Sequence, residues 1–123
     1  MNLPKDLSAN MRSRGRIRVM GKSATKDKAG QYPVEPQTVA EVWCQVVPQT
    51  GGLLAGRPAE TELARTTHKI LLRYRQGIRP DMWFEVGGER YDILYVMDPG
   101  LRHIWLECFC EVSFDGTADS RDG

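Results

Sequence analysis

Between residues 102 and 112 the chain alternates strictly. Ile104, Leu106, Cys108, Cys110 and Val112 fall on one side, and Trp105, Glu107, Phe109 and Glu111 on the other. A period of two is that of a strand with one face turned to a core, here the Ile104 face. The same pattern runs back through the chain. Residues 67–74, 82–86 and 89–97 are β-rich runs divided by turn signals: Gly77-Ile78-Arg79-Pro80-Asp81, Gly87-Gly88 and Asp98-Pro99-Gly100. The Gly-Gly pair suits a tight hairpin, because glycine takes positive φ at little cost. Upstream, residues 39–47 form a β-rich run closed by Pro48, and residues 14–20 alternate basic with apolar side chains. Six short strands, several joined as hairpins, predict an all-β fold, a small six-stranded barrel or sandwich.

The connections are long for so small a domain. A chain of 123 residues suits one domain with a single core. Residues 1–13 read as a polar, flexible arm, 14–112 as the β domain and 113–123 as a polar tail holding Asp115, Asp119, Arg121 and Asp122. Within the domain, residues 21–38 are rich in Gly, Lys, Ser and Pro and read as one long loop. Residues 49–66 form a second, of a length that is functional or disordered when found in a compact β domain. There Pro58, followed by Glu60 and Glu62, admits a short helix near 58–65. No apolar run approaches the roughly 18 residues of a membrane span. The start, Met1-Asn2-Leu3-Pro4-Lys5-Asp6, lacks the apolar stretch of a secretory signal, so a chain kept in a cytoplasm is expected.

Charge is polarised along the chain. The net is +1, yet residues 1–30 hold eight basic and two acidic side chains, and the remainder nine basic and fourteen acidic. The basic set is Lys5, Arg12, Arg14, Arg16, Arg18, Lys22, Lys26 and Lys28. Such a chain can attract copies of itself head to tail, or carry a solvated basic arm. Arg14, Arg16 and Arg18 share one strand face and make a positive stripe able to meet carboxylates or phosphates. Three readings stand: an edge strand guarded by charge, a protein contact, or a nucleic-acid contact, the last without the aromatic platform that stacks single strands.

No catalytic pattern is present. The sequence has no P-loop, no Gly-x-Ser-x-Gly, no His-Glu-x-x-His and no Cys-x-x-Cys. Glu107 and Glu111, like Arg90 and Asp92, share a strand face and read as solvated. His68 and His103 offer no metal-ligand spacing, and the three cysteines, Cys44, Cys108 and Cys110, read as reduced core residues. Neither an enzyme nor a cofactor or metal site is expected.

The order of these segments carries a resemblance. Ile70-Leu71-Leu72-Arg73-Tyr74-Arg75-Gln76-Gly77-Ile78-Arg79-Pro80-Asp81-Met82-Trp83, then the hairpin Gly87-Gly88-Glu89-Arg90-Tyr91-Asp92-Ile93, resembles the middle of phage head–tail adaptor proteins, also called head-closure or stopper proteins. Glu41-Val42-Trp43-Cys44-Gln45-Val46 and the pattern Arg102, Trp105-Leu106-Glu107-Cys108, Glu111 are similar too, so the likeness spans residues 14–112. It implies a virion protein of the head–tail junction, assembled in the host cytoplasm. The subunits would form a homo-oligomeric ring, commonly a dodecamer, with a portal or adaptor protein above and a tail terminator or tail tube protein below. Packaged double-stranded DNA would pass through, and no membrane is involved. The resemblance puts the channel-facing loop at Gln49, Thr50, Gly51, Gly52, Leu53, Leu54, Ala55, Gly56 and Arg57, where Leu53 and Leu54 depart from a hydrophilic loop. Subunit or partner contacts are expected from Arg12, Arg14, Arg16, Arg18, Lys22, Lys26 and Lys28. A tail-completion or terminator protein and a small-barrel nucleic-acid-binding module are the alternatives.

Overall fold

The structure, a computed structural model, describes residues 9–49 and 65–113. Six strands account for most of them: β1 (Ser13–Lys22), β2 (Val34–Pro48), β3 (His68–Arg73), β4 (Met82–Val86), β5 (Glu89–Met97) and β6 (Trp105–Val112). Every pairing is antiparallel, and the strands close on themselves in the order β1-β2-β3-β6-β5-β4. The fold is therefore a closed barrel rather than a sandwich, and closure removes from the barrel itself the free sheet edges that invite aggregation.

Barrel diameter grows with strand number, so six strands leave a narrow interior. One ring fills its middle: Phe84 of β4 is wholly buried. Around it pack Ile17, Ile70, Leu72, Ile93 and Leu106, with the small side chains of Cys44, Cys108 and Cys110 fully enclosed. Gly15 of β1 makes the tightest approach. A Cβ there would lie 3.0 Å from Cys44 Sγ and 3.1 Å from Val86 Cγ2. The inward face read from residues 104–112 is the one observed, with Ile104, Leu106, Cys108 and Cys110 all buried. Phe109 is buried from outside, stacked on Tyr95 with ring centroids 4.6 Å apart.

Two irregularities bend the barrel. Between Ile17↔Ala40 and Arg18↔Thr38 the register skips Val39, and between Ile93↔Cys110 and Tyr95↔Phe109 it skips Leu94. A bulge of this kind adds twist and re-aims the following side chains, which helps a short sheet close. The Gly87-Gly88 hairpin forms as expected, with φ of 60° and 84°. The last strand begins at Trp105 instead of near residue 102, because the preceding turn is longer. Pro99–Leu101 is a 3-10 turn, and Leu101 and His103 hold φ of 55° and 58°. Asp98 fastens it, accepting from His103 N at 3.1 Å and meeting His103 Nδ1 at 2.5 Å.

The loop expected over residues 21–38 is mostly ribbon. β1 runs on to Lys22 and β2 starts at Val34, with Met20↔Pro36, Gly21↔Glu35 and Lys22↔Val34 paired. The prolines are tolerated because β2 has no second neighbour there: its ladder to β3 begins only at Cys44. The β4 ladder on β1 likewise stops at Val19. The two strands thus continue past the barrel as a two-stranded arm. Most of the expected short helix near 58–65, of the arm 1–13, of the connection 49–66 and of the tail 113–123 lies outside the described residues.

Candidate assembly surfaces

Alternation places Arg14, Arg16 and Arg18 together on the outside of β1, as the sequence reading required. What it brings beside them is acidic. Glu41 of β2 lies 3.8 Å from both Arg14 and Arg16, and Glu85 of β4 lies 4.0 Å from Arg16 and 3.6 Å from Arg18. Arg18 also donates to Thr38 Oγ1 at 2.7 Å, and Arg14 covers the Trp43 ring at 5.1 Å. Cross-strand charge pairs of this sort contribute about 0.2–1 kcal/mol each. Three guanidinium groups and two interleaved carboxylates make a nearly balanced ladder, far less positive than the bare stripe the sequence implied.

The arm carries the rest of the basic candidates. Lys22 stands in its last strand pair, and Lys26 and Lys28 lie in the tip. The tip is ordered by Asp27, whose Oδ1 accepts from Ala29 N and Gln31 N, both at 2.9 Å. Lys26 lies 5.6 Å over the Tyr32 ring, and Gln37 Nε2 donates to Lys22 O. The arm is apolar as well as basic: Met20, Tyr32 and Val34 are 50%, 48% and 59% exposed. Arg12, before β1, donates to Ala9 O at 2.7 Å.

Of the expected channel-loop residues only Gln49 is described. It is buried, and its backbone N–H donates to Thr67 O at 2.9 Å. Thr66 is buried beside it, and Thr67 Oγ1 accepts from Val112 N at 2.8 Å. Residue 49 and residues 66–67, the two ends of this connection, therefore meet at one gate, fixed to the ends of β2 and β6. Residues 50–57 lie outside the described residues.

A groove missed by the sequence reading opens where β3 peels away from β2. The ladder between them ends at Cys44↔Leu72, yet β2 continues through Trp43, Val42 and Glu41 while the other chain turns off through Arg73, Tyr74 and Arg75. The groove holds about 350 Å³ and is also lined by Met11 and Arg14. Trp43 is 56% exposed, and Tyr74 leans on His103 with ring centroids 4.5 Å apart. Outward Trp43 beside inward Cys44, and a basic–aromatic–basic triplet closing a strand, were the signals available.

Nothing among the described residues resembles a reaction centre. The charged pairs singled out on strand faces are compensated: Lys69 lies 3.8 Å from Glu107, Arg65 2.9 Å from Glu111 and Arg90 2.8 Å from Asp92. All three thiols are free and buried. Burial pushes Cys44 up to about 11 and Cys108 to about 12, and drives Cys110 in the same direction. They are neutral, unreactive core groups at ordinary pH. Burial also lowers His68, against the opposing pull of Glu89; its ring lies edge-on to Tyr91 at 5.0 Å.

The solution structure of protein SF1141 from Shigella flexneri 2a shares this fold, with a TM-score of 0.64 at 22% identity over 85% of this chain and 94% of that one. A chain in the virion of a native gene transfer agent particle does so with a TM-score of 0.53, again at 22% identity, over 81% of this chain and 93% of that one. No curated protein matches this chain in sequence. The sequence model for phage head completion proteins matches residues 10–113, the whole barrel with its arm, and this bears out the resemblance read from the order of the strands. The chain belongs to the phage head completion protein family.

Proposed function

We propose that this chain is a structural subunit of the neck of a tailed phage. Copies form a ring, a dodecamer by the family resemblance, between the portal or its adaptor and the tail terminator or tube, and the ring helps retain packaged double-stranded DNA. The observation that carries the reading is the β1–β2 arm. A two-stranded ribbon is marginal by itself in water, and an apolar one more so. Met20, Tyr32 and Val34 are left uncovered by the barrel, beside Lys22, Lys26 and Lys28. Such an element gains stability when a neighbouring subunit covers it, which is how a heterologous ring is held.

The segment from Gln49 to Arg57 then faces the channel. Its support is the single gate: a connection whose ends meet at a 2.9 Å hydrogen bond can project as a unit without disturbing the barrel. Arg12, Arg14, Arg16 and Arg18 contribute to the subunit contacts around β1, and the carboxylates among them argue against β1 as a nucleic-acid-binding face. The ring acts by occupying and shaping the neck, with no chemical step. A phage lacking the gene should accumulate DNA-filled heads that lose their genome and carry no tails. Infectious tailed particles from that knockout would overturn the reading. Full heads with stable DNA beside unfinished tails would instead favour a tail-completion protein.

A further inference from the structure

The groove between β2 and the end of β3 has a composition the connector role leaves unexplained. It presents three guanidinium groups, Arg14, Arg73 and Arg75, against the single carboxylate of Glu41. Arg14 is shared with Glu41 at 3.8 Å, but the side chains of Arg73 and Arg75 have no carboxylate partner among the described residues. Two rings border them, the exposed Trp43 and the half-buried Tyr74. A site of this kind selects an extended segment with carboxylates for the cations and an aromatic ring for the apolar floor. This chain has such a segment after β6. Residues 114–123 begin Phe114-Asp115 and continue with Asp119, Arg121 and Asp122, three carboxylates against one guanidinium, the mirror of the groove.

The chain's own segment is poorly placed to fill its own groove. β6 runs on two residues past Cys110, which pairs with His68, whereas the groove begins at Arg73. Five residues of strand separate those levels, about 17 Å. Phe114 and Asp115 follow Ser113 directly and span at most about 7 Å. The Phe-Asp pair that best matches the rings and cations can therefore reach the groove of another copy but not its own.

We propose that this groove receives residues 114–123 of a neighbouring copy, with Arg73 and Arg75 meeting Asp115 and Asp119, and Trp43 and Tyr74 covering Phe114. The contact is heterologous, one end of a barrel to the flank of the next, and such contacts close into rings when the rotation permits. The inference rests on the connector reading only in requiring that copies meet.

The test follows the Trp43 indole N–H signal by NMR, assigned by its loss in Trp43→Phe. The full chain carrying Asp115→Asn, Asp119→Asn and Asp122→Asn, whose own segment no longer competes, is titrated with a synthetic peptide of residues 113–123. The signal should shift and saturate. Arg73→Glu with Arg75→Glu in the receiving chain should weaken binding at least about tenfold, as should high salt, and a peptide with Asn for Asp should not bind. In the unmodified chain the same signal should move on dilution. No shift, a shift indifferent to the charge reversal, or a shift in the unmodified chain that is independent of concentration (its own segment in its own groove) overturns the proposal. A phage carrying Arg73→Glu and Arg75→Glu that remains infectious while groove binding is absent sinks this contact alone and leaves the connector reading intact. Tailed infectious particles without the gene sink the connector reading and leave the groove measurement standing.

Discussion

Gly15→Ala is the most informative single change, because it adds one methyl to the tightest point of the barrel. Gly15 pairs with Val42 and Val86 and is buried. The added carbon would lie 3.0 Å from Cys44 Sγ, 3.1 Å from Val86 Cγ2 and 3.8 Å from Phe84 Cδ1. In open space the change should stabilise, by about 0.4–1 kcal/mol from reduced freedom of the unfolded chain and about 0.8 kcal/mol from the buried methyl. Here two contacts fall below normal van der Waals distance, and both neighbours are on paired strands of a closed sheet. Overpacking of this kind costs about 1–3 kcal/mol, occasionally more. With both neighbours held by their ladders the cost lies near the upper end of that range, so the net should be a loss of about 1 kcal/mol, seen as a urea midpoint lowered by roughly 0.3–1 M with an unchanged slope. Val86→Ala removes one of the two clashing groups, the Cγ2 methyl. Alone it should cost about 1–2 kcal/mol, but the double variant should be at least about 0.5 kcal/mol more stable than the sum of the two singles. A Gly15→Ala midpoint equal to or above that of the parent chain, or strict additivity with Val86→Ala, would refute the account of a barrel closed tightly around Gly15.

Phe84→Ala empties the centre of the barrel and should cost about 3–5 kcal/mol in the same urea assay, with Phe84→Leu losing much less. The buried thiols should resist a thiol reagent in the native chain and react together on unfolding. Their raised folded values set a sign: from the unfolded value of 9.0 upward the unfolded chain releases protons that the folded chain keeps. Stability should therefore be full below pH 9 and fall from 9 through about 12, and Cys44→Ala should lessen the part of that fall between 9 and about 11. His68 works at the other end. Its folded value lies below 6.5, so the unfolded chain binds the proton first, and stability should decline as pH drops through 6.5, an effect that His68→Gln should reduce. Glu41→Gln with Glu85→Gln strips the counter-charges from β1 and should create salt-dependent DNA binding that the parent chain lacks, measured by gel shift at low salt. Equal binding by both chains would mean that the ladder does not restrain β1.

Local patterns carried much of this molecule. The alternation of Ile104, Leu106, Cys108 and Cys110 named the inward face of β6, because a strand's side-chain period is set by its own backbone. Gly87-Gly88 located a hairpin for the same reason, since only local φ decides it. Where a local signal depended on its neighbours it misled. Pro33 and Pro36 read as a loop, yet Pro36 lies inside β2, because that stretch of β2 has no β3 beside it to miss a hydrogen bond.

The parts decided by tertiary structure are those that join distant segments. No pattern within β1 says that Glu41 and Glu85 will stand between its arginines; closure of β4 onto β1 puts them there. The triplet Arg73-Tyr74-Arg75 marks a basic and aromatic surface but not a groove, which exists because β3 leaves β2 one pair before Trp43. A sequence determines the face each side chain turns to, through the pleat of its own strand. Which charge that face meets is settled by register and closure, and these follow from fitting Phe84, the three thiols and Gly15 into one narrow interior.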